Sequence, residues 1–144
     1  MTMLKILVLA DGSESASRAV RYAITQIPLY KEPLEIHLLN VQLPIASGNV
    51  RKFFSHEAIN SYYQDEGVAA LAPARKLLDE AGVAYHHHIG VGDVAETVAR
   101  YAKEKQCSQI VMGARGMGGI ANMLLGSVAT KVIHLAEVPV VLVK

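Results

Sequence analysis

One pattern constrains this chain most: an uninterrupted apolar run, a turn, then helical periodicity, repeated along its length. Leu4 to Leu9 reads Leu-Lys-Ile-Leu-Val-Leu and stops at Ala10-Asp11-Gly12-Ser13. A strand apolar on both sides of its pleat must be covered on both faces, which is the condition of a parallel sheet flanked by helices. From Ser13 onward, apolar residues recur at Ala16, Ala19, Val20, Ala23, Ile24 and Ile27, the three-and-four spacing of one helical stripe. Ser13 is the expected N-cap and Pro28 the stop.

The pattern then repeats. Leu34 to Val41 is a second strand, and Pro44 to Asn49 a loop. Helical patterning runs from about Phe53 to Ala81, with Gly67 and Pro73 marking a kink or break and Gly82 placed as a C-terminal cap. A third strand, about Val83 to Ile89, leads into Gly90-Val91-Gly92. There Asp93 and Glu96 form a D-x-x-E capping arrangement for a helix ending near Lys105. Gln109 to Met112 is the fourth strand, followed by a Gly-rich segment, Gly113 to Gly126. A helix from about Ser127 to Ala136 and a strand from Val138 to Val143 close the chain. Five strands alternating with four helical segments predict an α/β fold built on a parallel sheet with right-handed crossovers. At 144 residues, one domain spanning 1–144 is expected.

Composition narrows the function. Hydrophobic residues make up 51% and charged residues 19%, which excludes a disordered, solvating chain. Fourteen Lys and Arg against thirteen Asp and Glu leave a formal charge of +1, so no electrostatic footprint for nucleic acid or an anionic membrane is present. The single Cys107 can form neither an internal disulfide nor a cysteine zinc site. Asp11 ends the first apolar run before a signal or spanning segment could form, and no other run approaches about 18 residues. A cytoplasmic protein, with no nucleic-acid or membrane partner, is expected.

The segment Gly113-Ala114-Arg115-Gly116-Met117-Gly118-Gly119-Ile120-Ala121-Asn122-Met123-Leu124-Leu125-Gly126-Ser127 carries the chemistry. It lies between a buried strand and a helix, at the carboxyl edge of the sheet, where open α/β folds place ligands. Glycines let a ligand approach the backbone closely, and the following helix N-terminus offers N–H groups and a favourable dipole to phosphate oxygens. Arg115 adds a charge and Ser127 a hydroxyl, which makes an anion cradle; a long turn is the alternative for a glycine cluster alone. No Lys follows a Gly as in the P-loop, and Gly116-Met117-Gly118 lacks the third Gly of the dinucleotide fingerprint.

Gly113, Gly116, Gly126 and Ser127 reproduce a longer motif: Gly, two residues, Gly, nine residues, Gly, then Ser or Thr. Together with the opening Val8-Leu9-Ala10-Asp11-Gly12-Ser13, the Val91-Gly92-Asp93 turn, the strand end Ile110-Val111-Met112-Gly113 and the closing Val138-Pro139-Val140, the chain resembles the universal stress protein family over essentially its whole length. The resemblance implies a flavodoxin- or Rossmann-like three-layer sandwich with strand order 3-2-1-4-5, and ATP or ADP, with Mg2+, as ligand. It further implies that Asp11 and the Val41 backbone contact the adenine end and that Ala10, Met112 and Gly113 line base and ribose. Arg115, Gly116, Gly126, Ser127 and Val128 would surround the phosphates. Asp11, an oxygen donor, is also a candidate Mg2+ contact. Two departures stand out: Ala129, where some ATP-binding relatives carry a hydroxyl, and Ser108-Gln109 before the fourth strand. The function implied is an ATP-binding, nucleotide-responsive regulator of the stress response, a homodimer formed along Val138 to Val143, with at most slow ATP hydrolysis and no assigned catalytic residue. Two alternatives are an ATPase or phosphoryl-transfer enzyme using Arg115 and Asp11, and a nucleotide-free protein-interaction module.

Other features read as structural. Side chains alternate along a strand, so of His86, His87 and His88 only His86 and His88 share a face; two ligands without a third are expected to be polar surface. His56-Glu57 lacks a second histidine, Asn60 standing in its place, and Gly12-Ser13 lacks the flanking glycines of a nucleophile elbow. Cys107 is expected to be a half-buried, inert thiol.

Overall fold

A computed structural model describes residues 3–45, 48–116 and 124–144. Its elements are β1 (Leu4–Leu9), α1 (Glu14–Gln26), a 3-10 turn (Ile27–Leu29), β2 (Leu34–Gln42), α2 (Gly48–Phe53), α3 (His56–Glu80), β3 (Tyr85–Val91), α4 (Val94–Glu104), β4 (Gln109–Gly113), α5 (Ser127–Leu135) and β5 (Val140–Val143). The strands form one five-stranded sheet in the order β3-β2-β1-β4-β5, and every pairing is parallel. The α/β class and the strand order 3-2-1-4-5 implied by the motif are therefore those of the structure.

Two hydrophobic layers sandwich the sheet. Ile6, Val8, Ile36, Leu38 and Val111 point to one face, where Ala19, Val20 and Ala23 of α1 and Leu71, Ala74 and Leu78 of α3 cover them. Leu7, Leu9, Leu39, Val41, Ile110 and Met112 point to the other, beneath Ala95, Val98 and Ala102 of α4 and Ala129 and Val132 of α5. The period-two alternation of strand side chains thus supplies two cores from one set of apolar runs.

Local signals set the helix starts. Ser13 Oγ accepts the Ala16 N–H at 3.0 Å, Ser55 Oγ accepts the Ala58 N–H at 3.1 Å, and Asp93 Oδ2 accepts the Glu96 N–H at 3.0 Å. Each satisfies a first-turn donor that the helix itself leaves unpaired. Gly82, with φ of +69°, takes the left-handed conformation just past the end of α3.

The expected helix from Phe53 to Ala81 is instead two: α2 ends at Phe53, Ser55 caps a new start, and α3 runs unbroken for 25 residues with Pro73 inside it. A proline is tolerated there because packing holds the helix: Leu71, Ala74 and Leu78 are buried on either side of it. Gly67 is no hinge; a Cβ there would stand 2.7 Å from the Ile89 side chain, so the glycine lets α3 approach β3. β3 lies two residues later than expected at both ends. β5 begins at Val140, after Pro139, which has no N–H to give a ladder but whose carbonyl accepts from Ile110 at 3.0 Å. Parts of the expected Pro44–Asn49 loop and of the Gly113–Gly126 segment lie outside the described residues.

Leu71 is fully buried and Val68, three residues earlier on α3, is about half exposed. Leu71→Ala is expected to destabilise the protein by about 2–5 kcal/mol, while Val68→Ala stays within about 0.5 kcal/mol. Urea midpoints at constant m-value measure both.

Candidate functional site

Because all strands run the same way, the turns that follow them open on one edge of the sheet. There the chain order departs in opposite directions from β1 and β4, and a crevice forms between the two outgoing turns. A cleft of about 840 Å³ occupies this position. That is ample for a small organic ligand.

Its floor is Leu9, Met112 and Gly113 at the ends of β1 and β4; Asp11, Gly12 and Ser13 form one lip, and Arg115, Gly116, Gly126, Ser127 and Val128 the opposite one. Val41 and Gln42 close the side at the end of β2. Of the ten residues singled out from the sequence, Asp11, Val41, Met112, Gly113, Arg115, Gly116, Gly126, Ser127 and Val128 line this one cleft. Ala10 does not. It is buried behind the wall, its N–H donating to the Leu39 carbonyl and its carbonyl accepting from Asn40 Nδ2, both at 2.9 Å.

Asp11 serves its turn and the cleft at once. Oδ1 accepts the Ser13 N–H at 2.9 Å, the turn role open to any aspartate there, while Oδ2 would lie 3.0 Å from a Cβ at Gly116. The two lips therefore meet at a carboxylate facing a bare backbone.

The glycines have separate reasons to be glycine. A Cβ at Gly113 would overlap Ser15 Oγ and stand 2.9 Å from the Ser15 carbonyl carbon, so β4 and α1 touch backbone to backbone at this point. Gly113 is thus needed for packing whether or not anything binds. Gly126 donates its N–H to the Ala114 carbonyl at 2.7 Å and stands at the N-cap of α5. Where α1, α3 and α4 begin with a capping Ser or Asp side chain, α5 begins with a residue that has none. Its first turn, Gly126 to Ala129, lines the cleft.

Several lining residues were missed in the sequence. Glu66, Ala69, Ala70 and Pro73 of α3 form the far wall. Their spacing of three, four and seven marks one helix face, a signal hidden by the expected break in that helix. Asn40, buried at the end of β2, accepts Gln42 Nε2 at 2.7 Å and ties β2 to β1 through Ala10.

A second polar cluster shares no residue with the cleft. It lies on the α4 side of β2 and β3, where His37 is in register with His86. The rings of His86, His37 and His88 stack in a column, with centroids 4.8 and 5.2 Å apart, and Tyr101 of α4 packs on His88. His37, itself buried, is 2.6 Å from Glu35 Oε1 through Nε2 and 2.9 Å from His88 Nε2 through Nδ1. Burial first, then the neighbouring His37, Lys105, His86 and His87, hold the His88 pKa down at about 4, and burial also lowers that of His37. The hydrogen bond from His37 keeps the Glu35 carboxyl below its usual range. The expectation that His86 and His88 lack further ligating neighbours is therefore overturned: His37 and Glu35 come from the adjacent strand.

Comparison with known proteins matches this chain and its fold to one family. The profile described as the universal stress protein family matches residues 3–144. The chain belongs to the universal stress protein family. It is 34% identical to the universal stress protein MJ0531 of Methanocaldococcus jannaschii over 97% of this chain and 81% of that one. It is 31% identical to YxiE of Bacillus subtilis, over 97% and 98%. Among solved structures, the hypothetical protein MJ0577 superposes with a TM-score of 0.82 at 28% identity, covering 98% and 95%. A universal stress protein solved in complex with cAMP has the same fold, with a TM-score of 0.71 at 23% identity, covering 98% and 97%. Among the described residues no helix is long and apolar enough to cross a membrane.

Two outcomes follow. Gly113→Ala is expected to destabilise the ligand-free protein by about 1–3 kcal/mol, read from urea denaturation, because the overlap is with α1 and not with a ligand. In EDTA, stability is expected to be full above about pH 6.5 and to fall as the pH drops toward 4: the unfolded His88 takes a proton near 6.5, whereas the folded one resists until about 4. Lys5, Lys105, His86 and His87 add to that resistance around the cluster, and Glu35 opposes it for His37. His88→Asn should flatten the slope of the urea midpoint between pH 7 and 5.

Proposed function

We propose that this universal stress protein binds an adenine nucleotide, ATP or ADP with Mg2+, in the cleft at the carboxyl edge of its sheet and acts as a nucleotide-responsive regulator of the stress response. One observation carries the reading: α5 alone among α1, α3, α4 and α5 starts without a side-chain cap, and its first turn lines the cleft together with Arg115. A helix N-terminus left to the ligand, next to a guanidinium and a hydroxyl, is a phosphate site by its chemistry. The apolar floor of Leu9, Val41 and Met112 suits a base and ribose at the other end.

Asp11 is the residue that fits a divalent cation. Its Oδ2 faces the Gly116 backbone across the lips, so a carboxylate sits where phosphate charge would collect, and a hard cation between them relieves the repulsion. Mg2+, when bound, would supply charge neutralisation there. Arg115, Ser127 and the amides of α5 hold and orient the phosphates. Members of the fold solved with cAMP and with dAMP make an adenine nucleotide the natural first ligand to test.

The homodimer belongs to the same reading. Among the described residues β5 pairs with β4 alone and its outer backbone edge has no strand partner, which invites pairing by a second copy. A cytoplasmic setting agrees with a lone thiol, Cys107, that is buried and pushed up to about 11 by desolvation.

Calorimetric titration of nucleotide-stripped protein with ATP and Mg2+ tests the site. Arg115→Ala is expected to weaken binding about 10- to 100-fold and Ser127→Ala about 3- to 10-fold, the worth of a charged and a neutral hydrogen bond. Neither substitution disturbs the Gly113–Ser15 packing, so affinity that is absent in the parent protein, or unchanged in both variants, overturns the reading.

A further inference from the structure

We propose that Glu35, His37 and His86 form a binding site for a transition-metal dication of the zinc class on the β2–β3 edge of the sheet, with His88 as the group that orients His37. The site is separate from the nucleotide cleft and does not depend on it. One carboxylate oxygen and one ring nitrogen from each histidine lie within 4.8 Å of one another. The three side chains share one sheet face because residues 35 and 37 of β2 alternate inward together and His37 pairs in register with His86. Two imidazoles and one carboxylate, with a fourth position left to water, is a common zinc donor set, and imidazole selects such metals over Mg2+ or Ca2+.

The surroundings suit ligation. Ligands at about 2.0–2.1 Å from a tetrahedral centre stand roughly 3.3 Å apart, so Glu35 Oε1 must withdraw from His37 Nε2, now 2.6 Å away. Glu35 is partly exposed and His86 mostly so, and both can move; His37 is buried and stacked between two rings and stays fixed. Without metal, the spacing is satisfied when His37 donates its Nε2–H to Glu35 and His88 donates its Nε2–H to His37 Nδ1. With metal on Nε2, the His37 proton moves to Nδ1 and is donated to His88 Nε2, while the His88 proton shifts from Nε2 to Nδ1. Every imidazole remains neutral through the exchange. A ligating histidine whose second nitrogen is held by a neighbour is the usual support of a metal site. Lys5, in register with Glu35 on β1, is the charge a bound dication would face.

Bound there, the metal would pin the edge strand β3 to β2. The test uses untagged full-length protein, freed of metal with EDTA and of nucleotide. The expected result is one Zn2+ per chain by calorimetry, tetrahedral d–d absorption when Co2+ is the probe, and a rise in Tm with Zn2+ but not with Mg2+. His86→Gln and Glu35→Gln should each weaken Zn2+ binding at least about tenfold, while His87→Gln, on the opposite face of β3, leaves it unchanged. His86 is largely exposed, so its variant is expected to fold and to remain informative if the Glu35 variant does not. No binding, equal binding in the His86 variant, equal loss in the His87 variant, or the same Tm rise with Mg2+ would each overturn the proposal.

Discussion

In an all-parallel sheet every strand leaves by the same edge, and every return must cross a face. That single constraint accounts for most of this molecule. It requires strands apolar on both sides, since helices cover both, and it gathers the turns after β1, β2 and β4 at one rim. The two cores and the cleft are consequences of the same geometry: residues pointing up and down from the strands build the layers, and the residues just beyond the strand ends build the site. Asp11 to Ser13 and Arg115 to Gly116 lie just past the ends of their respective strands.

At the rim, packing sets the backbone that lines the cleft. Gly113 is small because α1 presses on it through Ser15, and that contact sets where the chain leaves β4. Gly126, hydrogen-bonded to Ala114, brings the start of α5 back beside that exit. An uncapped helix start is ordinarily a defect of about 1 kcal/mol. Here it lies in the cleft, and under the proposed function a bound phosphate would stand in for the missing cap.

The opposite edge solves a different problem. β3 is an edge strand with three consecutive histidines, and His37 is buried beside it in β2. A buried imidazole must have its nitrogens satisfied, and Glu35 and His88 do this on either side. The stacked column holds the rings in place, and it leaves a carboxylate and two ring nitrogens converging at a partly open surface.

Periodicity made the elements legible. The strand runs, the helical stripes, the caps Ser13 and Asp93 and the family motif are all local patterns, and they carried the α/β class and the region of the cleft. Where reading failed, a distant residue had overruled a local rule. Pro73 predicts a break, yet Leu71, Ala74 and Leu78 anchor the helix on both sides of it. Gly67 reads as a hinge but answers to Ile89 of β3. Ala10 belongs to the opening motif, though hydrogen bonds to Leu39 and Asn40 place it behind the wall. The sequence by itself determined the alternation of strands and helices and the α/β class, because those depend on neighbours along the chain. Only the tertiary structure decided that Glu35 and His37 meet His86 and His88, because strand register, not sequence distance, sets which side chains share a face.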